Sequence, residues 1–110
     1  LLRGKRTPDH YALVTASDGV GVFTFGPYAY LPADNYRYQI HYRTDTPNAA
    51  RYEILPFLHK PVASGELSTG ESVVSGTFTL TQALSIEVQI IFWGQGELEI
   101  KQIILERVSP

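Results

Sequence analysis

The stretch that decides the fold is "NYRYQIHYRT", residues 35 to 44, in which an aromatic residue or isoleucine recurs at every second position. Side chains of a β-strand alternate between its two faces, so one face of this strand is apolar and the other is polar. The apolar face comprises Tyr36, Tyr38, Ile40 and Tyr42. The polar face comprises Arg37, Gln39, His41 and Arg43. The apolar face predicts a core, whereas the polar face meets water, a neighbouring domain or a ligand such as a sugar.

A period of two continues along the chain, and no stretch of helical length carries an apolar stripe at helical spacing. Strands are predicted over residues 11–16, 20–25, 35–44, 51–60, 62–67, 73–81, 84–93 and 97–108. Residues 26–35 hold two prolines and are predicted to form a connection that includes at most a short edge strand. Pro56 predicts a bulge or an edge position for its strand. The phase change at Lys101 and Gln102 predicts a β-bulge in the last strand.

Eight or so short strands at intervals of about ten residues predict an all-β fold, a sandwich of two antiparallel sheets. Jelly-roll topology is favoured, with an immunoglobulin-like Greek key as the alternative. Residues 11–110 are interpreted as a single sandwich domain, and residues 1–10 as the end of a linker from upstream. Because the chain contains no methionine, we interpret it as a piece of a longer protein.

Composition excludes several classes of function. The net charge of −2 and the lack of a basic face beyond the first residues argue against a nucleic-acid binder. No apolar run reaches the roughly 20 residues of a membrane-spanning helix, so no direct membrane insertion is expected. Without cysteine there is no thiolate metal site, disulfide framework or cysteine nucleophile. We expect no cofactor and no bound metal.

Two segments carry a family resemblance. "GPYAYLPADNYRYQIHYR" resembles a recurrent stretch of galactose-binding-like β-sandwich modules, the jelly-roll class that includes many carbohydrate-binding modules. "SGTFTL" followed by "SIEVQIIFWGQGELEIKQIIL" resembles the closing hairpin of that family, and the similarity covers roughly residues 20 to 108. The resemblance implies an accessory module of a larger bacterial glycosyltransferase or glycoside hydrolase, placed outside the cytoplasm. Lys101 and Gln102 stand where many members carry an Asp pair, which argues against the structural calcium of some relatives.

A catalytic site is not indicated by the sequence. His10, His41 and His59 lack metal-ligand spacing. Glu97 and Glu99 lie two apart, opposite the apolar positions of their strand, as expected of a charged solvent face. We therefore predict that the protein is not an enzyme.

Carbohydrate binding requires an aromatic surface for the apolar side of a pyranose ring, with planar polar groups at its rim. Trp93 is the best candidate for that surface, and Tyr28 or Tyr30 on the proline-rich segment is a further one. The hydrogen-bonding groups are predicted to be Arg37, Gln39, His41 and Arg43. If strands 35–44 and 84–93 share a sheet, these groups lie on one face with Glu87, Gln89, Ile91 and Trp93.

Two alternatives to sugar binding remain open. The polar stripe is also typical of a solvated face, or of cross-strand ion pairs such as Arg43 with Glu87. An apolar patch of Ile91, Trp93, Leu55 and Phe57 would suit docking on a parent catalytic domain in the same chain. A spacer role is a variant of that second alternative. The sequence thus predicts a non-catalytic, monomeric carbohydrate-binding module, with a docking or spacer sandwich as the competing hypothesis.

Overall fold

The computed structural model describes the backbone of residues 5–7, 10–15 and 19–108, and the side chains of residues 19–25 and 31–108. Nine strands account for most of this part of the chain. They are β1 (Lys5–Thr7), β2 (His10–Thr15), β3 (Gly21–Leu31), β4 (Asp34–Thr44), β5 (Ala50–Pro56), β6 (Ala63–Leu67), β7 (Val73–Leu80), β8 (Leu84–Phe92) and β9 (Glu97–Arg107). No helix in these ranges is long and apolar enough to cross a membrane.

The strands form two antiparallel sheets with the topology of a jelly roll. The five-stranded sheet has the order β1-β2-β9-β4-β7, and the four-stranded sheet has the order β3-β8-β5-β6. Strand β5 pairs with β6, β4 with β7, β3 with β8 and β2 with β9. In these pairs each strand before the β5–β6 turn is matched with one after it, as in one long hairpin. The hairpin is rolled up so that successive pairs lie in alternate sheets, which is the jelly-roll arrangement. The all-β sandwich and its jelly-roll topology, both predicted from the sequence, are confirmed.

The core lies between the two sheets and consists of the alternating apolar positions. The four positions of β4 predicted to face inward, Tyr36, Tyr38, Ile40 and Tyr42, are all at most 5% exposed. From the other sheet, β8 contributes Ile86, Val88, Ile90 and Phe92, each 0% exposed. Full burial of a large aliphatic or aromatic side chain stabilises a fold by about 1.5–3 kcal/mol. Hydrophobic burial by these two central strands is thus the main force that holds the sheets together.

The β-bulge predicted in β9 is present. His41 pairs with Gln102 and Tyr42 with Ile100, so Lys101 is the extra residue on the β9 side. A bulge shifts the phase of a strand by one residue. Lys101 and Gln102 both face solvent, and Ile103 returns to the core at 6% exposure.

Three local predictions need correction. Residues 26–31 are not a separate connection, because β3 continues through Pro27 to Leu31, with register shifts on either side of Tyr28. Strand β5 is not at an edge, since it lies between β8 and β6. It accommodates Pro56 because its pairing with β6 ends at Ile54. Within the stretch interpreted as a linker end, Lys5–Thr7 pairs with β2 as strand β1.

A pair of tyrosines joins the sheets where the edge strands β6 and β7 lie. The hydroxyl groups of Tyr38 and Tyr52, one from each sheet, are hydrogen-bonded at 2.7 Å in the core. Each ring covers the glycine opposite it, Gly76 for Tyr38 and Gly65 for Tyr52, where an added Cβ would lie 2.7 Å from the ring or its hydroxyl. Burial, followed by the hydrogen bond from Tyr38, raises the pKa of Tyr52. The Tyr52 hydroxyl therefore remains protonated at neutral pH, and the hydrogen bond between the two hydroxyls gives each a partner in the core.

Candidate functional site

The condition for one combined binding face is not met, because β4 and β8 lie in different sheets. The polar side of β4 is on the outside of the five-stranded sheet. The polar side of β8, with Trp93 beyond its end, is on the outside of the four-stranded sheet. The two surfaces lie on opposite sides of the sandwich. One sugar ring therefore cannot contact both the Arg37–Arg43 stripe and Trp93.

The cationic residues of the β4 stripe already have partners within the protein. The Arg37 Nε atom lies 3.1 Å from Glu106. Arg43 donates to Glu99 at 2.6 Å and also to Glu97. These hydrogen bonds raise the pKa of Arg43 above its ordinary value. Cross-strand ion pairs are thus present as the alternative interpretation expected, although the predicted pairing of Arg43 with Glu87 is wrong.

The two polar residues between the arginines are also joined to each other. A side-chain hydrogen bond of 3.0 Å links the His41 Nε2 atom to the Gln39 Oε1 atom. Only one ring nitrogen of His41 is used in this contact, and the residue is half-buried. Each of the four polar side chains of the stripe therefore has at least one partner within the protein.

The outside of the four-stranded sheet is built from the odd-numbered positions of β5 and β8. Their register pairs Arg51 with Ile91, Glu53 with Gln89, and Leu55 with Glu87. We call these six residues the β5–β8 face. Its apolar members, Leu55 and Ile91, lie at opposite ends, with polar side chains between them. The four residues of the predicted docking patch therefore do not form one continuous apolar surface.

A groove opens where β5 ends and β8 begins. Its volume is about 590 Å³, and its lining comprises Leu55, Pro56, Phe57, Leu58, His59, Ser85 and Glu87. We call it the terminal groove. Phe57 is 63% exposed and Leu58 is 86% exposed, which is unusual for large apolar side chains. The groove thus combines open aromatic surface with imidazole, hydroxyl and carboxylate groups.

The local sequence explains how this groove is formed. The Phe57 N–H donates to the Ser85 carbonyl at 2.9 Å, which holds the chain beside β8 for one residue after Pro56. The chain then turns, and the His59 N–H donates to the Pro56 carbonyl at 3.0 Å. Leu58 lies at the tip of this turn with a φ of 60°, a left-handed conformation that is strained for a leucine. The turn therefore presents Phe57 and Leu58 to solvent.

Among the described residues, few interactions involve the polar side chains of the terminal groove. Within residues 19–25 and 31–108, no hydrogen bond or ion pair is recorded for the Glu87 carboxylate. The His59 Nε2 atom has a long contact of 3.5 Å with the Gln82 amide nitrogen. No group of three His, Asp or Glu side chains in the described part of the chain is arranged to hold a metal ion. The groove has the character of a hydrogen-bonding site with one negative charge.

The aromatic residues predicted to form the binding platform lie at the two ends of the four-stranded sheet. Trp93 is 48% exposed, and its N–H donates to the Ala49 carbonyl at 3.1 Å, beyond the end of β8. It is six residues from Glu87 along β8, a separation of about 20 Å. The backbone of Tyr28 pairs with Ile86, beside the terminal groove. The side chains of Tyr28 and Tyr30 are outside the described residues.

Sequence reasoning did not identify the terminal groove as a site. It placed Leu55 and Phe57 in a docking patch, and it placed Glu87 on the same face as the β4 stripe. The available signal was "LPFLHKP", residues 55 to 61, in which apolar residues lie between two prolines. Prolines at this spacing end a strand and favour a turn, so apolar residues between them are exposed to solvent.

Comparisons with known proteins bear on the fold. No protein-family model matches the sequence, and no curated protein matches it. Among solved structures, the fold is similar to that of the carbohydrate-binding module TmCBM61 in complex with β-1,4-galactotriose. The TM-score is 0.51 at 15% sequence identity, and the match covers 79% of this chain and 61% of that chain. At this identity the similarity concerns the β-sandwich architecture that the two proteins share.

Proposed function

We propose that this protein is a non-catalytic module that binds a carbohydrate in the terminal groove. The observation that carries the proposal is the exposed ring of Phe57 in the same groove as the Glu87 carboxylate, which has no described protein partner. An open aromatic ring offers a surface for the apolar side of a pyranose, and a carboxylate accepts hydrogen bonds from two neighbouring hydroxyl groups. His59 and Ser85 supply further donors and acceptors at the rim.

The size and the fold of the protein support this assignment. A volume of about 590 Å³ lies within the range of small-molecule sites and exceeds the needs of a single sugar ring. The similar solved structure is that of a carbohydrate-binding module with a bound β-1,4-galactotriose, which makes this trisaccharide the first ligand to test. The similar fold favours a carbohydrate ligand in general, whereas the groove residues support the position of the site.

Apart from Trp93, the ligand-binding residues predicted from the sequence lie either beside the terminal groove or on the opposite sheet. Tyr28 and Tyr30 belong to the strand segment beside the groove, so they remain proposed contacts. Ligand roles for Arg37, Gln39, His41 and Arg43 also remain proposals. A sugar on that surface would displace ion pairs and hydrogen bonds within the protein, which lowers the net gain from binding. We propose that the module serves a larger glycan-handling protein outside the cytoplasm.

Calorimetric titration tests the proposal. Ligands are β-1,4-linked trisaccharides of galactose, glucose, xylose and mannose, up to millimolar concentration. We expect at least one to bind, with Phe57→Ala weakening affinity about tenfold, because a ring contact contributes on the order of 1 kcal/mol. Val73→Ala is the matched control, since Val73 is an exposed apolar residue on the outside of the five-stranded sheet. It should bind as the unchanged protein does.

The competing proposal is that the groove docks a neighbouring domain of a parent protein. The observation that favours it is Leu58, which is 86% exposed in a strained turn. Absence of binding to all four trisaccharides would contradict the carbohydrate proposal and support docking. Equal affinities of Phe57→Ala and Val73→Ala would contradict the placement in the terminal groove.

A further inference from the structure

We propose that the ligand is an extended, neutral oligosaccharide chain that lies along the β5–β8 face and reaches from the terminal groove to Trp93. This inference rests on the proposed function and deepens it. It assigns one ligand to two aromatic residues that lie far apart on the same surface. A terminal sugar would occupy the groove alone, whereas a chain of several sugar units uses the whole face.

The two aromatic residues lie on the same face of the four-stranded sheet and far apart from each other. Phe92 is 0% exposed and points into the core, so alternation places Trp93 on the outer side of the four-stranded sheet. Phe57 is hydrogen-bonded through its backbone to Ser85, on the same side as Glu87. Trp93 is eight positions after Ser85 along the chain, a distance of about 26 Å in extended conformation. That distance is several times the length of one sugar ring.

Exposed apolar side chains are unevenly distributed over the two outer faces. Within the described residues, the large exposed apolar side chains are Val20, Phe57, Leu58, Val73 and Trp93. Phe57 and Leu58 are at one end of the four-stranded sheet. Val20 and Trp93 are at the other, where Gly21 pairs with Phe92. Apolar contact surface is therefore concentrated at the two ends of one face, whereas the five-stranded sheet exposes Val73.

Polar side chains occupy the surface between these two ends. The middle of the β5–β8 face presents Glu53 and Gln89, and Arg51 lies beside Ile91; all three polar side chains are half-buried and face outward. Their amide, carboxylate and guanidinium groups are planar, with several donors and acceptors each. Half-buried side chains lose less conformational freedom on binding than fully exposed ones do. Such a strip suits the rows of hydroxyl groups along a glycan chain.

Charge selects the class of chain. The outward positions of β5, β6 and β8 carry Glu53, Glu66 and Glu87 but, among the described residues, a single cation, Arg51. Arg51 itself lies 3.6 Å from Glu53. An anionic polysaccharide would meet a surface of the same sign, and like charges at an interface disfavour binding. The face therefore favours neutral glycans and disfavours polyuronates.

A length series tests this inference. The ligands are β-1,4-galacto-oligosaccharides from the disaccharide to the hexasaccharide, with the galacturonate hexasaccharide as the anionic probe. We expect affinity to rise beyond the trisaccharide, because a second contact on the same chain adds to the first. Trp93→Ala should weaken the hexasaccharide about tenfold and leave the trisaccharide unchanged. Phe57→Ala should weaken every length, Val73→Ala none, and the anionic probe should bind at least tenfold more weakly.

The outcomes separate the two proposals. If Trp93→Ala binds the hexasaccharide as tightly as the unchanged protein does, the extended chain is overturned. Groove binding still stands in that case if Phe57→Ala is weakened. Equal affinity for the neutral and anionic hexasaccharides overturns the charge selection. If no length binds, both this inference and the proposed function in its galactose form fail.

Discussion

The two outer faces of this sandwich obey the same alternation but use their polar groups in opposite ways. On the five-stranded sheet, the arginines of β4 face the glutamates of β9, and the charges neutralise each other in pairs. On the four-stranded sheet, Glu87 has no such partner among the described residues, and aromatic side chains stand at both ends. The stripe rich in arginine and histidine is thus the surface with fewer polar groups available to a ligand. Binding capacity depends on which groups the neighbouring strands leave free.

The inner faces, by contrast, are similar, because each has a tyrosine packed on a glycine of the edge strand. The largest expected effect on stability tests this similarity. Gly65→Val and Gly76→Val should each destabilise the protein by about 1–3 kcal/mol, since either new side chain collides with the tyrosine above it. Denaturant unfolding measures the loss. Ser64→Val and Ser75→Val are matched controls, because both serines are exposed neighbours of those glycines. Unequal losses of unfolding free energy in the two variants would show that the two tyrosines do not pack equally tightly on their glycines.

A smaller effect distinguishes the outer faces directly. Arg43→Ala removes a side chain that bridges two carboxylates, and we expect a loss of up to about 1 kcal/mol, limited because the side chain is 43% exposed. Arg51→Ala, on the other face, breaks a looser 3.6 Å contact and should cost less than about 0.5 kcal/mol. Thermal unfolding of both variants gives the comparison. A larger loss for Arg51→Ala would reverse our ranking of the two surfaces.

The smallest effect concerns acid stability at the ends of β4. The Glu97 backbone N–H and the Thr46 hydroxyl lower the pKa of Asp45, and Arg107 lowers that of Asp34. A lowered pKa contributes stability that is present above the ordinary value of 3.8 and is lost as pH falls below it. Stability should therefore decrease as the pH falls through and below about 4, and less steeply in Asp45→Asn. Unfolding midpoints measured across this range provide the check. An unchanged slope in Asp45→Asn would contradict the role of this carboxylate.

Local pattern predicted much of the fold and little of the site. Alternation identified the buried side of β4 and β8, and the phase change in β9 located the bulge at Lys101, because both are properties of a single strand. Sheet membership depends instead on which strands pair over long sequence distances. The sequence of β8 alone gives no indication that it lies beside β3 and β5 rather than β4. The combined face with Trp93 was predicted on the condition that β4 and β8 share a sheet, and only the topology determines whether they do.

The terminal groove was missed for a similar reason. It forms where the Phe57 N–H meets the Ser85 carbonyl, a contact between segments that are remote in sequence. Each segment alone is typical of a strand end or a turn. The partner of Arg43 was mispredicted because cross-strand pairs follow register, and the residue opposite Arg43 is Glu99. The sequence shows which polar side chains are present, whereas only the fold shows which of them interact with one another.

The rolled-hairpin topology also has a consequence for how the chain folds. Ile54 pairs with Ala63 in the β5–β6 hairpin, whereas Thr15 pairs with Glu97, close to the other end of the chain. Non-local pairing is slow, and folds dominated by it form in milliseconds to seconds. We expect the β5–β6 hairpin to form first and the outer pairs to close around it. The turn that presents Phe57 belongs to that first hairpin, so the groove wall forms early, and the central strand β8 joins it later.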